Sequence, residues 1–125
     1  MKTIKATWLE TAGACESSVA DFRRLFGEWC DVSVQNARLW IAHFPNDYQD
    51  DLKWLAVRLM DSFDHETMEE LEDRLVIERE DDYSKSSPAF FQDRVDVASW
   101  ALIQKLDDDR LTKAIEEIAD CSTAL

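Results

Sequence analysis

Glycine and proline are nearly missing: each occurs twice in 125 residues. Sandwiches and barrels need those residues at many tight turns, so their scarcity argues against both and favours helices. Histidine also occurs twice, which leaves little for a catalytic or zinc centre built on imidazoles. Cys15, Cys30 and Cys121 form an odd set with no close pair, so free thiols in a reducing compartment are expected over a structural disulfide. No apolar run approaches membrane-spanning length, and the first residues lack the apolar stretch of a signal peptide. The expected location is the cytoplasm.

What remains is rich in apolar side chains and acids. Apolar residues make up 46% of the chain, with five Trp and six Phe, enough to bury a real core in one domain without metals or disulfides. The formal net charge is −13, and it is unevenly spread. Residues 1–60 carry a net −1, residues 61–82 a net −9 and residues 83–125 a net −3. Such a chain is repelled by nucleic acid and by anionic membranes, whereas a basic protein partner is allowed.

Apolar spacing and caps lay out a series of short helices. One spans about Thr3–Thr11 and stops at Gly13; the next runs from about Cys15 to Phe26, with Val19, Phe22, Leu25 and Phe26 on one side, and stops at Gly27. Ser33 caps a third, with Val34, Ala37, Trp40 and Ile41 inward, until Phe44-Pro45 ends it. Asp50 or Asp51 opens a fourth. Asp64 caps an acidic helix whose apolar stripe is Met68, Leu71 and Leu75. After the loop "DDYSKSS", Ser87-Pro88 starts a helix to about Leu106, and "DDDR" opens a last one with Leu111, Ala114, Ile115 and Ile118 inward. Strand-like alternation is brief, at Cys30–Val34. The expected fold is all-α, a compact single-domain bundle of about six or seven short helices, with residues 83–125 forming a C-terminal helical pair.

Catalytic and metal motifs are weak. "HETME" at His65–Glu69 resembles the start of a helical zinc motif, but Glu69 stands where the second histidine should be. Asp61 and His65, four apart, lack an obvious third ligand, and His43 sits at a helix end that favours a cation. The run Asp107–Glu117 lacks the central Gly of a calcium loop, with Leu111 at a ligand position. There is no Gly-rich phosphate loop and no Ser elbow. The expectation is a non-enzyme with no cofactor and no metal. Trp8, Trp29, Trp40, Trp54 and Trp100 mostly suit core faces. Phe90 and Phe91, adjacent on a helix, point about 100° apart and cannot share one narrow face, so Phe90 serves either a second core layer or an interface. A homodimer through these rings stays open.

The acidic stretch "DSFDHETMEELEDRLVIEREDD" holds eleven acids against Arg74 and Arg79. On a helix Glu66, Glu70 and Asp73 fall on one line, with Glu69 and Glu80 nearby and neighbours about 6 Å apart. That is the scale on which phosphates repeat along a DNA strand. Like charges so placed destabilise the helix by about a few tenths of a kcal/mol per pair. Either the face only keeps the protein soluble, or it serves Arg/Lys-rich sites on another protein.

Gly13-Ala14-Cys15, Val19, the Phe22 to Phe26-Gly27 spacing, the Val-rich turn after it and Trp54-Leu55-Ala56 lie within residues 8–60. This segment resembles a helical stretch met in many small phage, prophage and bacterial proteins. The resemblance implies a local helical fold and a phage-like setting, in the cytoplasm of a bacterial or infected cell, and carries no catalytic residues. Joined to the acidic helix, it makes the leading expectation a phage-type inhibitor, anti-CRISPR or anti-restriction-like. Such a protein would act as a DNA mimic on a basic, nucleic-acid-binding host protein. The residues expected at the contact are Glu66, Glu69, Glu70, Asp73, Glu80, Asp81, Asp82 and Phe90. The alternative is an immunity protein that neutralises a basic nuclease toxin.

Overall fold

A computed structural model describes residues 2–61, 63–75, 102–123 and 125, with His65 described by its backbone only. Glu80, Asp81, Asp82, Phe90, Phe91, Trp100, the "DDYSKSS" loop and most of the helix expected over Pro88–Leu106 lie outside the described residues. The elements are β1 (Thr3–Lys5), α1 (Ala6–Ala12), α2 (Glu16–Phe26), β2 (Trp29–Asp31), α3 (Val34–His43), α4 (Tyr48–Leu59), α5 (His65–Arg74) and α6 (Asp108–Cys121). The fold is mostly helical, as expected. Residues 102–104 are also helical and lead into α6.

Local capping chemistry sets several helix ends. Ser33 Oγ accepts from the Asn36 amide at 3.1 Å, Asp64 Oδ1 from Thr67 at 2.8 Å and Asp107 Oδ1 from Arg110 at 2.9 Å. Gly13 closes α1 in the left-handed region, at φ 95°, where a side chain would be strained. Gly27 closes α2 at φ 83°, ψ −145°, a region open to almost no other residue. The start of α4 differs from expectation: the helix begins at Tyr48, and Asp50 and Asp51 lie in its first turn without capping it.

The N-terminal residues also depart from expectation. Thr3–Lys5 is a strand, paired antiparallel with Trp29–Asp31 so that Ile4 faces Cys30. Flanking bonds extend the pairing, from the Val32 amide to the Lys2 carbonyl and from the Ala6 amide to the Glu28 carbonyl. Three residues are too few for a readable alternation, and their partners lie more than 20 positions away, so no local pattern announces the ladder. Its pleat buries Ile4 and turns Thr3 and Lys5 outward. On β2 the same period leaves Trp29 59% exposed, which corrects its expected place in the core. Trp40 is buried, and Trp8 and Trp54 pack partly against the core.

One apolar core joins all these elements. It includes Leu59, Met60, Met68, Leu71, Ile103, Leu111, Ile115 and Ile118, each almost fully covered. Helix α6 is the hub, packing most extensively on α4, then on α3 and α5. Its buried stripe, Leu111, Ala114, Ile115 and Ile118, is the one its spacing predicts. Glu116, beside that stripe, reaches across to α3 and accepts from the Val34 amide at 2.8 Å. A carboxylate thus meets the positive end of α3 from 82 residues away.

Candidate functional site

Helix α5 presents the acids that the sequence singled out. Met68 and Leu71 are buried and Leu75 is half-buried, which anchors the apolar stripe inward. Glu66, Glu69, Glu70 and Asp73 are exposed together on the other side. Their spacing of three and four residues makes them one face, with neighbouring acids about 6 Å apart. Arg74 Nη2 donates to Glu70 Oε1 at 2.7 Å, and this pair holds the guanidinium more firmly protonated than usual. Glu72, by contrast, is 5% exposed and turns into the core side. The sequence pattern alone counts it as one more surface acid.

A second acidic run, Asp107–Asp109, is largely engaged in holding the fold. Asp107 caps α6, and Asp108 Oδ2 accepts the Tyr48 hydroxyl at 2.7 Å, which raises the phenol above its ordinary range. Two of the three acids in that run therefore hold structure together. Near the end of α3, His43 Nδ1 lies 2.9 Å from the Leu39 carbonyl oxygen. Asp61 pairs with Arg58 at 3.4 Å. No three His, Cys, Asp or Glu side chains among the described residues come together in a way that could hold a metal ion. Cys15, Cys30 and Cys121 are free thiols. No helix among the described residues is long and apolar enough to cross a membrane.

A second feature escapes sequence reasoning. A cavity of about 260 Å³ opens beside α2, α3 and α4, and every labelled element except α5 contributes to its wall. The wall is almost wholly apolar, with Leu9, Phe22, Phe26, Trp54, Leu52 and Leu55 among its residues. Phe22, Phe26, Trp40 and Phe44 form a continuous ring series, with centroids 5.3, 6.3 and 4.3 Å apart in order. The cavity is partly open to solvent, so water occupies it unless a ligand displaces it.

Few polar groups reach the cavity. Asp51 Oδ2 accepts the Trp40 indole N–H at 3.0 Å. Burial raises Asp51 above the usual carboxylate range, and the Trp40 bond works against that rise. The pairing of β1 with β2 sets Cys30 into the wall, where burial, helped by Asp31, pushes its thiol up to about 12. A thiol so protonated is a poor nucleophile near neutral pH. The remaining acids in the wall are Asp31 and Asp50, and no Lys, Arg or His lines it among the described residues.

The partners of this cavity come from separate elements, and only the abundance of Phe and Trp in residues 22–54 hinted at an aromatic wall. Comparison with protein-family models, curated proteins and solved structures finds no match for this chain.

Proposed function

We propose that this chain is a non-enzymatic, acidic binding protein that presents α5 to a basic surface on another protein, one that otherwise holds nucleic acid. The supporting observation is the exposure of Glu66, Glu69, Glu70 and Asp73 as one face while Met68 and Leu71 fasten the opposite side to the core. Arg74 is the one arginine of that helix and pairs with Glu70, so four exposed acids against one guanidinium leave the face negative. A surface of this kind speeds encounter with a basic partner and loosens as salt rises. In the phage-like setting that residues 8–60 suggest, the partner is a host nucleic-acid-binding defence machine, and the protein is its inhibitor.

Affinity capture from bacterial lysate at low and high salt tests this reading. The comparison protein carries Glu66→Gln, Glu69→Gln, Glu70→Gln and Asp73→Asn, exposed changes that relieve like-charge repulsion and leave the fold intact. The expected result is a nucleic-acid-binding partner released by salt, by added duplex DNA and by the four changes. Capture unaffected by the four changes would reduce α5 to a solvated face.

A further inference from the structure

We infer that the cavity beside α2, α3 and α4 is a binding site for a small apolar amine, an aromatic body of one or two rings carrying a protonated amino group that sits at Asp51. Size sets the body. An apolar void of about 150 Å³ accommodates benzene, so a void of about 260 Å³ takes a bicyclic ring. The wall suits it, because Phe22, Phe26, Trp40 and Trp54 line it together with Leu9, Leu52 and Leu55.

Charge sets the head group. Asp31, Asp50 and Asp51 line the cavity, and no cationic side chain does so among the described residues. A carboxylate ligand, such as a fatty acid, would meet Asp51 with no counter-charge in the wall. An ammonium would meet an oriented acceptor, because Asp51 is held by the Trp40 indole N–H. A carboxylate has about four acceptor sites, so this one donor leaves room for others. Burial of Asp51 points the same way, since a desolvated carboxylate gains most from a paired cation. Cys30, kept as a neutral thiol, is a wall atom and makes no covalent bond in this site. The cavity shares no residue with α5, so this site and the acidic face stand or fall separately.

The test is calorimetric titration of the full chain with three ligands of one shape: tryptamine, 3-ethylindole and indole-3-propionate. Tryptamine should bind tightest, 3-ethylindole more weakly and the carboxylate weakest. In Asp51→Asn the indole N–H keeps its acceptor while the charge is lost. Tryptamine should then weaken about tenfold or more, the worth of one hydrogen bond to a charged group, and 3-ethylindole should be unchanged. Ala37→Leu places a larger side chain in the wall and should abolish binding of all three; should it fail to fold, the Asp51→Asn comparison decides alone. Equal affinities for the three ligands, no saturable binding of tryptamine, or tryptamine binding indifferent to Asp51→Asn would each overturn the inference.

Discussion

Removing the carboxylate of Glu116 should loosen the start of α3 from the far end of the chain. Its Oε2 accepts from the Val34 amide at 2.8 Å in a part-buried setting, while Ser33 Oγ takes the Asn36 amide of the same helix. The first turn of a helix leaves amides without partners inside the helix. Ser33 satisfies one of them locally and Glu116 another through tertiary packing. A hydrogen bond to a charged group contributes about 1.5–3 kcal/mol, and the helix dipole is part of that value. Glu116→Ala should therefore cost about 2 kcal/mol, and Glu116→Gln, which keeps an acceptor and loses the charge, about 1 kcal/mol. For a chain of this length the alanine variant should melt roughly 8 °C lower. Urea unfolding followed by tryptophan fluorescence measures both, with the slope of the transition unchanged. A loss below about 0.5 kcal/mol in Glu116→Ala would refute the capping role, because that is the range of ordinary surface substitutions.

Three further outcomes follow from single sites. Asp51 has a raised folded-state pKa, so the native protein binds its proton more tightly than the unfolded chain, and its contribution to stability falls as pH rises from the ordinary carboxylate value through the raised one. Asp51→Asn should accordingly be at least as stable as the parent at neutral pH, with the difference shrinking in acid; a stability loss that grows toward neutral pH would contradict this. Gly13→Ala and Gly27→Ala both place a Cβ in open space, so their cost is conformational. Gly27, in the rarer region, should lose more, about 1–3 kcal/mol by thermal unfolding, and the reverse order would refute the backbone argument. At mildly alkaline pH, iodoacetamide followed by peptide mass spectrometry should find exposed Cys15 alkylated well before Cys30, whose thiol is held up at about 12. Equal rates would place Cys30 outside the apolar wall.

Helical identity was legible because its signals are local. A cap and its amide lie three residues apart, as at Ser33, Asp64 and Asp107, and an apolar stripe such as Leu111, Ala114, Ile115 and Ile118 repeats within two turns. The exposed face Glu66, Glu69, Glu70 and Asp73 was legible for the same reason, since burial of Met68 and Leu71 turns it outward. Interactions between distant segments leave no such trace. The pairing of Ile4 with Cys30, the Glu116 bond to Val34 and the meeting of Trp40 with Asp51 each join groups whose neighbours in sequence say nothing of the contact. Exposure of Trp29 and burial of Glu72 likewise depend on which side of an element faces the core, and only packing decides that. The amino-acid sequence by itself determined the helical class, several of the caps and the acidic face, through hydrogen bonds and periodicity within one or two turns. The tertiary structure alone decided the two-stranded ladder, the long-range cap and the cavity with Asp51 in its wall, because each is a space or a bond between elements that the chain brings together only on folding.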